Sequence, residues 1–242
     1  MCLHKFREPL DKRTTEGLYE RITNRFQVRL VRTYDGWGRV TRGAMRRIVQ
    51  RGLPPSVLNS LVDGRVDILL NELEPIIKTG IRTASIAAVG SQRVKTPVVK
   101  AAVAQRIAKE IGYLQTSLGP DLKTSIRATG TNVALIKPVI DASRARISSY
   151  AGAAWVMIFE SQKAAGQEDE RESGEPQMVR WVLAEDAVHC KAGGGRLGCI
   201  DLEGSYDSWN ALPTVPAGNV TCSGNCRCHL EVFENGAWQR GL

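Results

Sequence analysis

Five cysteines fall within 39 residues: Cys190, Cys199, Cys222, Cys226 and Cys228. Thiolates are good zinc ligands, set at the corners of a tetrahedron and usually supplied as two closely spaced pairs. Here Cys190 and Cys199 make one group, and a 22-residue loop separates them from the other three. Eight residues lie between the first two thiols, but Gly193, Gly194, Gly195 and Gly198 fall in that interval and let the backbone fold back to close the gap. Cys222 and Cys226 have a workable spacing. Cys226 and Cys228 would point to opposite sides of a strand, so one of the two completes a four-thiolate site. His189 and His229 are alternative donors. The expectation is one structural zinc on Cys190, Cys199, Cys222 and either Cys226 or Cys228. Competing expectations are disulfides, or thiols that are simply buried. A catalytic zinc needs an open position, usually with histidine or carboxylate ligands and a nearby acid or base. The chain has only His4, His189 and His229, and neither an H-E-x-x-H motif nor H-x-E with P-C-x-x-C.

A second concentration of chemistry lies near the other end. Residues 1–51 contain 13 Lys or Arg against 5 Asp or Glu, whereas residues 52–242 contain 20 of each. The whole net charge of +8 therefore sits in the first fifth of the chain. Arg21, Arg25, Arg29 and Arg32 recur at helical spacing, and Arg39, Arg42, Arg46 and Arg47 follow. Such a concentration suits an acidic partner, whether nucleic acid, an anionic membrane or an acidic protein surface; a solvated helix face is the plain alternative. Leu18, Ile22, Phe26 and Leu30 form an apolar stripe beside the first four arginines, and this favours a protein groove over DNA.

Those residues need elements to hold them. With 242 residues, 43% hydrophobic and 24% charged, the chain can bury a real core and is not wholesale disordered. No apolar stretch reaches the roughly 18 residues of a membrane span, and MCLHKFREPL carries no apolar leader core, so a reducing compartment is expected, where a cysteine cluster more often holds metal than disulfides. Spacing predicts a helix from Arg13 to Gln50, interrupted at Asp35-Gly36-Trp37-Gly38. A second helix covers Ser56 to Val89, with Pro75 able to kink or divide it. Pro97 suits the first turn of a helix to Leu118, after which Gly119-Pro120-Asp121 ends it and starts another. Gly130 is a further break, and Pro138 opens a helix to about Lys163. The acidic run Gln167 to Glu175 holds no large apolar residue and reads as a linker or exposed loop. From Gln177 onward, short apolar runs separated by Gly and Pro predict a small β-containing module with long loops. The fold class is thus mainly α: an elongated helical N-terminal region followed by a small zinc-stapled, β-containing C-terminal module. The expected segments are a basic helical arm at 1–52, a helical domain at 53–166, an acidic linker at 167–176 and a cysteine-rich module at 177–242.

In the last segment the order of residues resembles the phage head morphogenesis family, minor head proteins of the phage Mu protein F type. The resemblance runs through Trp181, Ala184, Asp186, His189 and Cys190, then Gly204-Ser205-Tyr206 and Trp209. It continues with Leu212-Pro213 and Pro216 and ends in Cys222-Ser223-Gly224-Asn225-Cys226-Arg227-Cys228. The long first cysteine spacing departs from the family pattern. What the resemblance implies is a virion component rather than an enzyme, made in the host cytoplasm and carried in the head or at the head–tail vertex. Partners would be the portal protein and the major capsid or head–tail connector subunits, with double-stranded DNA as a further one. Several copies would surround the portal, acting in head assembly and in DNA packaging or ejection. The alternatives are a DNA-binding protein of the capsid interior and a zinc-dependent enzyme or toxin domain.

Overall fold

A computed structural model describes residues 15–129, 136–144, 147–185, 189–221 and 228–240. Cys2, Gly130, Asp186, Cys222 and Cys226 lie outside these residues. The order of elements is α1 (Thr15–Gln50), α2 (Pro55–Arg93), α3 (Pro97–Tyr113), a π-turn (Leu114–Leu118), α4 (Gly119–Thr129), α5 (Ile136–Arg144) and α6 (Ile147–Ser173). Then follow β1 (Val179–Val182), the short α7 (Cys199–Leu202), β2 (Gly204–Tyr206), β3 (His229–Glu234) and β4 (Ala237–Arg240). The protein is mainly helical, with one small antiparallel sheet at its C-terminal end. No described helix is long and apolar enough to cross a membrane.

Contacts divide the chain into two compact units, each discontinuous in sequence. One comprises Asn24–Gly80 and Ile107–Tyr150; the other comprises Met1–Thr23, Ile81–Arg106 and Ala151–Leu242. Over its described residues the first unit holds helices and the short connection at residues 51–54, with no strand. Its interior takes Phe26, Leu30, Tyr34, Trp37 and Met45 from α1, and Leu58, Val62, Val66, Leu69, Leu73 and Ile77 from α2. Steps of three and four residues, with the buried Thr41 between Trp37 and Met45, put each set on one side of its helix, which is why these segments are helices with a buried face.

Three local expectations hold in part or not at all. The break at Gly36 and Gly38 is absent: α1 runs unbroken for 36 residues. Each glycine costs a helix roughly 1 kcal/mol. Burying Tyr34 and Trp37, at 1% and 3% exposure, returns about 1.5–3 kcal/mol apiece. The Trp37 indole N–H also donates to the Arg65 carbonyl at 2.5 Å, and the Arg65 Nε–H donates to Thr41 Oγ1 at 3.2 Å. Nor does Pro75 divide α2; the helical path is interrupted at Gly90, with φ at 80°. Gly119 does open α4 as expected, but without a break in the helical path, because its φ and ψ of −63° and −54° are helical. Proline has no N–H and crowds the carbonyl four residues back, here Thr116, and the wider π-turn just before Gly119 accommodates both defects.

In the second unit the sheet has the order β2-β1-β3-β4, all antiparallel. Val179 faces Val232 and Trp181 faces Leu230 across the β1–β3 ladder. Alternation puts these four on one buried face, where they pack with Val156 and Phe159 of α6. Trp155 meets Tyr19 edge-on at 6.2 Å and Phe159 at 5.8 Å, so these aromatics serve the core.

The acidic run is also corrected: Gln167 to Ser173 forms the last turns of α6. Lys163, Gln167 and Glu170 are spaced four and three apart and share one helical face. The Lys163 ammonium donates to the Leu212 carbonyl at 2.5 Å, and the Gln167 amide donates to Asn210 Oδ1 at 2.9 Å. Burial lowers the Lys163 pKa from its ordinary value. The buried Glu170 carboxylate accepts the backbone N–H groups of Trp209 and Gln177 at 2.8 and 3.0 Å and the Asn210 side-chain N–H at 3.1 Å. A segment without large apolar side chains is held helical by what its polar ones grip.

Candidate functional site

The thiol module is built by a tight turn. Gly194 and Gly195 have φ of 59° and 74°, a backbone that side chains with a Cβ rarely adopt. Gly193 and Arg196 exchange backbone hydrogen bonds at 3.0 and 3.1 Å, and the Ile200 N–H donates to the Cys190 carbonyl at 3.3 Å. The turn reverses the chain and closes the long spacing between Cys190 and Cys199. Their sulfurs stand 3.4 Å apart as free thiols, and the Cys199 backbone N–H points to the Cys190 sulfur at 3.3 Å. Two thiolates bound at 2.3 Å to one tetrahedral zinc lie about 3.8 Å apart, so this pair fits such an ion with little movement.

Cys228 is 2% exposed and shares one hydrophobic cluster with Cys190, Cys199, Trp181, Trp209 and Leu212. Its sulfur lies 4.0 Å from His189 Nδ1. The other histidine is used elsewhere: His229 Nε2 stands 3.2 Å from Glu231, which also receives the Arg180 guanidinium at 2.6 Å. Burial raises the Glu231 pKa, but the hydrogen bonds from Arg180 and His229 outweigh it and leave the carboxyl below its ordinary value. Of the two histidines considered as donors, His189 is therefore the one beside a thiol. Among the described residues no group of three or more His, Cys, Asp or Glu is gathered closely enough to hold a metal ion. Cys222, which the four-thiolate set requires, and Cys226, one of the two choices for its fourth member, are outside those residues.

The basic face has a different construction. Arg25, Arg29, Arg32, Arg39, Arg46 and Arg47 are exposed, and Arg21 and Arg42 are half-buried. The apolar stripe expected beside them does not form a docking surface. Phe26 and Leu30 are buried in the chain's own core at 4% and 0%, Ile22 is half-buried, and only Leu18 is exposed. The periodicity was legible; its use for packing rather than for a partner was not, because one stripe serves either purpose.

Sequence reasoning missed a cleft within the helical unit. Arg32, Arg39 and Arg42 of α1 and Arg144 of α5 line it, together with Asp35 and Asp141. Arg144 pairs with Asp35 at 3.1 Å and Lys137 with Asp141 at 2.7 Å. The Lys137 hydrogen bond, aided by the charges of Arg42 and Arg144, holds Asp141 below the usual carboxylate range. Only the placement of α5 against α1 reveals this grouping, because Arg144 is more than 100 positions from the α1 residues in the cleft. No protein-family model, characterised protein or solved structure matches this chain.

Proposed function

We propose that this chain is a minor head protein of a tailed-phage type of particle, acting structurally at the portal or head–tail vertex. The observation that carries the proposal is the ordered set of residues from Trp181 to Cys228 that resembles the head morphogenesis family. Support comes from what those residues do. Trp181, Cys190, Trp209, Leu212 and Cys228 are buried together, and Tyr206 packs against them. The ordered set is thus the recipe for folding one compact knob. Its core is small for an independent fold, and a structural zinc on Cys190, Cys199, Cys222 and either Cys226 or Cys228 would supply the missing stability by linking both ends of the loop. The module then acts as an attachment unit on a helical body, with portal, capsid or connector subunits as partners.

The test is fractionation of particles from a lysate in which the chain is made, with quantitative mass spectrometry of the heads. The expected result is cofractionation with portal-containing heads at a copy number below that of the shell subunit. A chain that stays with free protein, in preparations where heads assemble normally, overturns the proposal.

A further inference from the structure

The unbroken path of α1 has an electrostatic consequence. At about 100° per residue, the arginines from Arg25 to Arg47 fall within an arc of roughly 140°, although the two glycines stand between the two groups. The arc is centred opposite the side that buries Phe26, Leu30, Tyr34, Trp37 and Met45. A break at Gly36 would have sent the two groups of charge in different directions. The helix instead presents one basic row about 33 Å long.

The cleft lies along this row. α1 and α5 approach closely at Gly38, where an added Cβ would lie 3.0 Å from Ile140 Cγ2. Around that crossing opens a cleft of about 450 Å³ whose walls carry four guanidinium groups and two carboxylates. Both carboxylates already have a cation, Asp35 from Arg144 and Asp141 from Lys137. Among the described residues, none of Arg32, Arg39 and Arg42 has a carboxylate at ion-pair distance.

We propose that this face of α1, with the α1–α5 cleft at its centre, binds the phosphate backbone of double-stranded DNA without reading its sequence. Guanidinium forks match phosphate oxygens two at a time, and a duplex presents one negative charge per roughly 1.7 Å of its axis, which suits a long basic row. An acidic protein partner suits it less. Protein interfaces are anchored by buried apolar and aromatic side chains, and those of α1 are spent on its own core. Between Arg25 and Arg47 the exposed large apolar side chains are Val28 and Val40, too scattered to anchor a partner. The proposal does not depend on the head-vertex assignment.

The experiment is fluorescence anisotropy of the full chain with a labelled duplex of arbitrary sequence at several salt concentrations. Affinity should fall with salt at a log–log slope of about 0.9 per phosphate contacted. Replacing Arg32→Gln, Arg39→Gln and Arg42→Gln together should reduce that slope by about 2–3 and weaken binding at least about tenfold. A control with Arg82→Gln, Arg171→Gln and Lys191→Gln loses the same net charge from the other unit and should bind like the parent. Circular dichroism checks folding, and Arg39→Gln alone replaces the triple variant should that one unfold. Equal loss in the control, no loss in the cleft variant, or displacement by polyglutamate as effective as by unlabelled DNA of equal charge would each overturn the proposal. Particle fractionation reads the head assignment separately.

Discussion

The helical unit of Asn24–Gly80 and Ile107–Tyr150 and the mixed unit that contains the sheet solve the same problem by different means. The first buries repeating apolar positions and, apart from the buried Glu110, keeps most of its charges at least partly exposed. Many side chains share that work, and a loss at any one of them is diluted. The second buries a smaller sheet and seats polar groups within it: Glu170, three thiols and Lys163 gripping a carbonyl. Unsatisfied buried polar groups are costly, so a region built this way depends on a few irreplaceable partners. The difference predicts where each unit is fragile.

Metal removal gives the largest expected effect. The proposed structural zinc would contribute on the order of 10 kcal/mol, as such ions do in small zinc modules. Chelation should speed hydrogen exchange in β1 and β3 while leaving Leu58 to Ile77 of α2 protected. Equal protection of both regions with and without chelator, in a protein shown to hold zinc, breaks the comparison.

Next is Glu170→Ala, which leaves the N–H groups of Trp209 and Gln177 and the Asn210 amide without their acceptor. We expect a loss of about 3 kcal/mol in urea unfolding, and about 1 kcal/mol for Glu170→Gln, which keeps one acceptor oxygen. Equal costs for the two variants would show that packing, not hydrogen bonding, makes the grip.

In the helical unit the sensitive point is steric. A Cβ on Gly80 would lie 2.6 Å from the Phe26 ring. Gly80→Ala should cost about 1–3 kcal/mol by overpacking, and Phe26→Leu in the same chain should recover part of it. Additive losses in that double variant would mean the two sites do not couple.

The smallest effect is that of pH on the sheet. Glu231 has a folded pKa below its unfolded one, so its contribution is complete above the unfolded pKa of about 4.3 and is lost as pH falls through the folded value. NMR titration should place the Glu231 midpoint below that of an exposed glutamate, and Arg180→Ala should move it upward. An unmoved midpoint would show that Arg180 is not the partner that matters.

What could be read from residue order was whatever depends on local spacing. The helices over 55–93 and from Pro97 onward, and the change to short strands after Gln177, all follow from periodicity and turn residues. The approach of Cys190 to Cys199 was legible as well, because four glycines in the interval let the backbone fold back. The cleft was not legible, since Arg144 and Asp35 are brought together by helix packing.

The sequence by itself determined a mainly helical chain, a small sheet at its end, a basic first fifth and a thiol cluster, because each depends on spacing or composition alone. Tertiary structure decided what happens where local signals were weak or ambiguous. Two glycines stayed helical because Tyr34 and Trp37 are buried beside them. An acidic run became the end of α6 because Lys163, Gln167 and Glu170 found partners in residues 177–212. In each case propensity differs by about 1 kcal/mol per residue, while one buried aromatic ring or a carboxylate with several donors is worth more. Packing therefore overrides the local preference at those sites, and one basic row is the result.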